Sequence, residues 1–498
     1  MIVNALKLLG PCLSTDMTHY LVKNFGLTPA AARQRVSRAP AEVKRLGHLP
    51  FQRNARFLYL QSDYASPWYW ESLYKAIYAS KGAYARALGA VEAREIVPLE
   101  HFRIACGAPI AQKKHISADT VLTRLVSASV LATLTLPGLG QCVMAKPTFE
   151  ALNSGKEDLV ATTRSRLIAE SILLDSIKEW LRRLAFVSYN SVKVRTGTEA
   201  SAPKVGTFTW DLTAPSYVAG LVTWEKNKVK PGLVVCDVLL NKNVRAQHVE
   251  SFLYKVKSLQ ALKNVGRAMY VFVAQSYELE AFKALRSAGV VPATPESLFG
   301  KDIAEAFRDL IGTLTSAAKG SLDPIKFDEL FSRLGKLEGA AGNMRGAFFE
   351  LLVAEIIRKT SPAQIELNKM CKGDDGTAEV DVWELKEGII ARLIECKGMA
   401  PGTLVDDEEV GLWLTNRIPR VRQYLSKQGW KGPKPRFELW TSGTLSSSAL
   451  DRIEKTRIAN SAKYELVVVG PAELKDAVEA VNDPPLKKVF EQHFLPTL

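Results

Sequence analysis

The sequence predicts a multidomain α/β protein, and three observations carry that expectation. Two separate regions each run from a long helical pattern into short strand-like segments that alternate with helices. The N-terminal third instead carries short capped helices followed by hairpin-like runs. A chain of 498 residues with 47% hydrophobic content has material for roughly three or four packed domains. The segments read as 1–65, 66–155, 156–315 and 320–498.

The first segment opens with a short helix over Thr15–Lys23, with Thr15 or Asp16 at its cap, and a turn at Phe25-Gly26-Leu27. Thr28-Pro29 then offers a cap and a proline at the first helical position, which predicts a helix to Arg38. That helix displays Arg33, Gln34, Arg35, Ser37 and Arg38. Val43–Leu49 and Phe51–Leu60 read as a hairpin carrying Arg53 and Arg56. Arginine and glutamine reach guanine and adenine edges, and arginine also holds phosphate. The pattern resembles a winged helix-turn-helix, which implies DNA contact through Arg33, Gln34, Arg35, Arg38, Arg53 and Arg56.

Residues 66–155 read either as a second winged unit or as a helical linker ending in a hairpin. A helix over Pro98–Ala105, a loop with Lys113, Lys114 and His115, a Ser117-capped helix, and strands at 131–136 and 141–144 support the first reading. The aromatic run Pro67-Trp68-Tyr69-Trp70 is expected to pack in a core.

Residues 156–184 have a long helical pattern. Strands follow at Thr207–Asp211 and Leu233–Leu240, then a helix over Val249–Leu262, a strand at Ala268–Ala274, a helix over Glu278–Ala288 and a strand from Gly289. The last segment echoes this order. A helix over Gly342–Ile357 carries Glu350 among apolar residues, near the helix start. A strand at Glu379–Leu385 carries Asp381, a Lys386-Glu387-Gly388 turn follows, and Ile389–Lys397 ends in Glu395-Cys396-Lys397. A helix over Val410–Ser426, interrupted at Pro419, leads to a strand at Arg436–Trp440; a helix over Ala449–Ile458 and a strand at Tyr464–Val469 complete the segment.

Strand side chains alternate, so Glu395 and Lys397 share a face. Carboxylates bind hard cations through oxygen. The order of helix Glu350, strand Asp381 and strand Glu395-x-Lys397 resembles the PD-(D/E)xK, or restriction-endonuclease-like, superfamily, with Val380 in place of the namesake proline. The resemblance covers about residues 320–498. It implies that Glu350, Asp381 and Glu395 bind Mg2+ (or Mn2+), and that Lys397 steers or deprotonates the nucleophilic water. The middle segment is either a degenerate unit of the same kind or an unrelated α/β domain. In the first case Asp211 and Asp237 match the acidic positions and Leu239 replaces the lysine.

Residues 1–150 hold 18 Lys/Arg against 9 Asp/Glu, so +9 of the net +14 charge lies in the first third. That asymmetry points to a polyanion partner. Arg417, Arg420, Arg422 and Lys427 read either as a grip on the DNA backbone or as a solvated helix face. Six scattered cysteines exclude a zinc ribbon and a disulfide framework and suit a cytoplasmic protein. The start lacks a signal-peptide core, and the apolar run Leu125–Leu136 is too short to span a bilayer. No P-loop motif is present, so any ATP-driven movement would come from a partner. The expected activity is metal-dependent DNA endonuclease cleavage, alone, as a homodimer or with a partner protein, in a setting such as defence against foreign DNA. The alternative is a non-catalytic DNA-binding regulator or scaffold that keeps a nuclease-like fold.

Overall fold

A computed structural model describes residues 1–110, 115–154, 158–188, 190–195, 202–225, 228–241, 243–262, 265–337 and 340–495. Lys113 and Lys114 therefore lie outside the described residues. The chain is a multidomain α/β protein that packs as two compact units. One comprises Met1–Leu134, Cys142–Lys156 and Val187–Ala293; the other comprises Thr135–Gln141, Glu157–Phe186 and Thr294–Leu498. These units cut the four sequence segments differently. The Asp158–Arg183 and Lys301–Ala318 helices, read with the middle segment, group with the C-terminal residues.

The first unit begins with the Ile2–Leu9 helix, β1 (Cys12–Leu13), the Ser14–Phe25 and Pro29–Ser37 helices, β2 (Val43–Arg45) and β3 (Phe57–Leu60), with sheet order β1-β3-β2. The second of these helices starts where Thr28 accepts the Ala31 N–H at 3.3 Å and Pro29 takes the first helical position. The hairpin is shorter than expected. Residues 52–54 form a tight turn with positive φ at Arg53 and Asn54 rather than strand.

The same order then recurs. The Ala83–Glu92 helix, β4 (Ile96–Pro98), the Leu99–Ala105 and Ala118–Ser127 helices, β5 (Leu131–Leu136) and β6 (Gly140–Ala145) form a sheet ordered β4-β6-β5. Ser117 caps the Ala118–Ser127 helix through the Thr120 N–H. Tyr69 and Trp70 are buried in an aromatic core with Phe57 and Tyr59, whereas Trp68 is exposed.

The unit ends in a five-stranded mixed sheet. Its strands are β7 (Lys193–Val194), β10 (Leu212–Ser216), β13 (Gly232–Leu239), β14 (Ala268–Ala274) and β15 (Val290–Ala293). Two small hairpins, β8 (Lys204–Val205) with β9 (Phe208–Thr209) and β11 (Thr223–Glu225) with β12 (Lys228–Lys230), stand beside it. The sheet order is β15-β14-β13-β10-β7. Its first two pairings are parallel and its last two antiparallel. The Ala246–Gln260 helix lies in the crossover from β13 to β14 that a parallel pair requires.

The second unit holds a sheet of the same design. Its strands are β16 (Gln364–Lys372), β17 (Thr377–Lys386), β18 (Ile390–Lys397), β19 (Arg436–Thr441) and β20 (Glu465–Val469), in the order β16-β17-β18-β19-β20. Again two pairings are antiparallel and two parallel. One face packs on helices between Asp407 and Asn460, through Val380, Leu393, Phe437, Trp413, Val421 and Ile453. The Ala340–Thr360 helix carries a second apolar group, in which Phe348 is fully buried with ring centroids 4.3 Å from Phe327 and 4.8 Å from Phe331. None of the six cysteines forms a disulfide. Among the described residues no helix is long and apolar enough to cross a membrane.

Removing the Phe348 ring leaves a cavity between the Ala340–Thr360 and Pro324–Leu334 helices. Phe348→Ala is expected to cost about 3–5 kcal/mol, read as a lower denaturant midpoint of the second unit; a change under ~1 kcal/mol would exclude this aromatic group as a core element.

Candidate active site

The β17–β18 ladder ends at the pair Val382–Ile394. The next opposed pair is Asp381 and Glu395, at the point where the strands part. The freed backbone there is used at once: the Cys396 N–H donates to Asp381 Oδ2 at 2.7 Å. On the other side β16 pairs Leu367 with Val382 and Lys369 with Val380, so Asn368 stands opposite Asp381. Asn368 adopts a positive φ of 56° and is buried, a conformation that asparagine tolerates better than most residues. Three strands thus present a row Asn368–Asp381–Glu395.

Glu350 enters from the Ala340–Thr360 helix, at its middle rather than near its start. Arg164, from the Asp158–Arg183 helix, donates to Glu350 Oε2 at 2.9 Å and also to Asn368 Oδ1. Glu379, two residues before Asp381 on β17, faces the same way and joins the group. Glu395 is 3% exposed, accepts from Arg417 and forms an ion pair with Lys397, whose Nζ lies 3.1 Å from Oε1. Lys397 and Arg417 both also reach Glu409, at 3.1 and 3.5 Å.

Arg417 owes its position to a π-helical turn over Trp413–Arg417, between the Asp407–Leu412 and Ile418–Lys427 helices. The interruption expected at Pro419 takes this form. Pro419 lacks a donor and would crowd the carbonyl four residues earlier, and one widened turn relieves both problems.

Burial dominates the electrostatics, and crowding among the carboxyls adds to it. Burial, reinforced by Glu379 and Glu395, pushes Glu350 up to about 7 against the pull of Arg164 and Lys397. Burial together with Glu395, Glu350 and Glu379 raises Asp381 well above the carboxylate range, although the Cys396 N–H opposes this. Glu379 is raised by burial as well. Lys397 loses hydration on burial, yet Glu395 and Glu409 more than offset that loss and raise its pKa. It therefore stays an ammonium ion, a form that donates hydrogen bonds and cannot take up a proton.

Glu395 lies near enough to raise both Glu350 and Asp381. Among the described residues no three His, Cys, Asp or Glu side chains gather closely enough to hold a metal ion, and Arg164 and Arg417 pair with Glu350 and Glu395. The donor chemistry still fits a hard dication. Five carboxylates (Glu350, Glu379, Asp381, Glu395, Glu409) share three cations (Arg164, Lys397, Arg417), and added positive charge would relieve their repulsion.

Three of the four basic residues named after the site are engaged elsewhere. Arg420 donates to the Thr377 and Asp375 carbonyls, Arg422 lies over the Tyr464 ring, and Lys427 pairs with Asp374. Gln423 accepts the Asp374 N–H. In the first unit, Arg33, Gln34, Arg35 and Arg38 are exposed on or just beyond the Pro29–Ser37 helix, while Ala32 and Val36 face inward. Arg53 and Arg56 are exposed in the turn before β3.

No protein-family model, no curated protein and no solved structure matches this chain.

The raised Glu350 fixes a pH dependence. Folding favours its protonated form, so stability falls as pH rises from about 4.5 toward about 7. Glu350→Gln is expected to flatten that fall, giving a variant more stable than the parent at pH 8 but not at pH 4. Parallel melting curves across this window check it; identical slopes for the two proteins would exclude a buried, raised Glu350.

Proposed function

We propose that this chain is a metal-dependent DNA endonuclease of the PD-(D/E)xK kind, targeted by an N-terminal winged helix-turn-helix. One observation carries the reading: Asp381 and Glu395 oppose each other where β17 and β18 part, with Lys397 beside Glu395 and Glu350 brought in from a helix. The surplus of buried carboxylate over local cations supports it.

Asp381 and Glu395, with Glu350 completing the set, are the residues to hold Mg2+ or Mn2+, which when bound lowers the pKa of a water and neutralises charge developing on the phosphate. The Cys396 N–H fixes the Asp381 carboxylate in orientation. Lys397, kept protonated, orients the attacking water or steadies a phosphate oxygen. Arg417 releases Glu395 and becomes available to the incoming phosphodiester.

Arg33, Gln34, Arg35 and Arg38 present donors from a helix that follows the helix-strand-helix order of a winged unit, and Arg53 and Arg56 lie in its wing loop. Such a helix suits the major groove, and the wing loop suits the backbone. The repeated helix-strand-helix-helix-hairpin order of residues 83–145 reads as a second winged unit. Six cysteines without a disulfide suit a reducing cytoplasm, where an activity against foreign DNA, as a homodimer or with a partner protein, has its use. A scaffold that keeps the fold without the chemistry is the second reading. The ammonium state of Lys397, intact beside Glu395, favours the nuclease.

Plasmid cleavage with Mg2+ or Mn2+ is expected, and Asp381→Ala, Glu395→Gln and Lys397→Ala should each lower it by at least about 100-fold while leaving DNA affinity within a few-fold. Undiminished cleavage in these variants removes the site assignment, and absence of metal-dependent cleavage of any nucleic acid favours the scaffold. Arg33→Ala with Arg35→Ala should weaken binding and reduce the salt slope by about 1 for each lost phosphate contact. Unchanged binding would move recognition elsewhere.

A further inference from the structure

The sheet of the first unit repeats the row that forms the active-site candidate. The β10–β13 ladder ends at Leu212–Cys236, so Asp211 and Asp237 form the next opposed pair, as Asp381 and Glu395 do. The Val238 N–H donates to Asp211 Oδ2 at 2.7 Å, matching the 2.7 Å bond from Cys396 to Asp381 Oδ2. On the other side β7 pairs Val194 with Leu212, which sets Arg195 opposite Asp211 where the other sheet has Asn368. Leu239, buried in the core, stands at the register position of Lys397.

The difference lies in what faces the acids. Lys255, from the crossover helix Ala246–Gln260, points into the row and is 1% exposed. Its Nζ donates to Asp237 Oδ2 at 2.5 Å, to the Thr209 carbonyl at 3.0 Å and to the Ile104 carbonyl at 3.2 Å, and lies 4.2 Å from the Trp210 ring centre. An ammonium has three N–H donors, and all three are used. The acids are equally committed. Asp237 Oδ1 accepts the Asp211 N–H at 3.1 Å, and Asp211 Oδ1 accepts from Arg195 at 2.9 Å. Each of the four carboxylate oxygens has a donor. Two acids meet two cations, whereas acids outnumber cations in the other sheet.

We propose that the ammonium of Lys255 occupies the place of a divalent cation in the first unit's sheet, so that this sheet is a built-in, metal-free counterpart of the candidate nuclease site, structural and without hydrolytic activity. The proposal rests on the nuclease reading only for what the cation would otherwise be. Arg417 supports the correspondence: it too comes from the crossover after the acidic strand and pairs with that strand's acid. Unlike Lys255 it is one-third exposed and shares itself with Glu409.

The test is Mn2+ stoichiometry on the full chain, by titration calorimetry and by electron paramagnetic resonance of free Mn2+. Lys255→Ala should bind one more Mn2+ than the parent, and Lys255→Ala with Asp237→Asn should lose that ion again. A folded Lys255→Ala chain with no additional Mn2+ overturns the proposal. Should Lys255→Ala not fold alone, millimolar Mn2+ should restore a cooperative melt, and failure to restore it likewise overturns the proposal. Lys255→Met with Asp237→Asn, a neutral pair, should keep the parent's Mg2+-dependent cleavage within two-fold; a large loss in this folded variant makes Lys255 part of the chemistry and overturns the lock. A parent chain that binds no Mn2+ removes the C-terminal nuclease reading without touching the gain at residue 255.

Discussion

Placing acidic side chains where two antiparallel strands part creates a debt of desolvation, and the way each sheet settles it governs much of the molecule. A carboxylate taken out of water needs donors or positive charge close by. In both sheets the first donor is the backbone itself, through Cys396 onto Asp381 and Val238 onto Asp211. Those amides are free only because the ladder ends one pair earlier. Beyond that shared step the sheets diverge. The first unit balances its acids with Arg195 and Lys255 and fills every oxygen. The second leaves an excess of acid, and burial together with that crowding raises Glu350 and Asp381 above the usual carboxylate range. A pocket with more carboxylates than cations gains from an added positive charge in a way that a balanced one does not.

The remaining architecture of the second unit serves to aim side chains at that pocket. The Ala340–Thr360 helix is fixed by Phe348, Phe349 and Leu352 on its buried side, which delivers Glu350 at a defined height over β17 and β18. The π-helical turn before Pro419 rotates Arg417 onto Glu395. A regular helix would turn that guanidinium away by roughly a third of a turn, since each inserted residue adds about 100°. Asn368, with its positive φ, and Arg417, at the end of the π-helical turn, are irregular backbone positions that touch the acidic row.

Much of this was legible in the sequence because it is local. Strand parity alone put Glu395 and Lys397 on one face, and their 3.1 Å contact follows from it. The same parity marked Glu379 as a partner of Asp381, a signal that the reading of β17 passed over. Lys255 also left a trace, since it lies three residues after Phe252 and four before Leu259, on the buried side of its helix, where a lysine needs a counter-charge. Asn368 and Arg164 left none. The β16 strand is a polar segment without alternation, and the contact from Arg164 to Asn368 spans 204 residues. Pairing at that separation is decided by the packing of whole elements, which no short window of sequence records. The turn at Gln52–Asn54 was misread for a related reason. Its residues have acceptable strand neighbours, but positive φ at Arg53 and Asn54 depends on closing a loop against β3.

The two solutions also differ in what else they hold together. Lys255 bonds a carbonyl from the β9 strand and another from the end of the Leu99–Ala105 helix, whose last carbonyls carry the negative pole of the helix dipole. One ammonium thereby ties the second helical repeat to the sheet beside it, and Gly89 allows that repeat's Ala83–Glu92 helix to approach the Gln247 carbonyl where any larger residue would collide. A metal ion in the same place would make this junction depend on the supply of that ion; a lysine makes it permanent. The partly exposed position of Arg417, shared between Glu395 and Glu409, has the opposite property, because such a cation is less firmly committed than a buried one. One sheet design thus carries its positive charge in two forms, buried and fully committed at Lys255, and partly exposed and shared at Arg417.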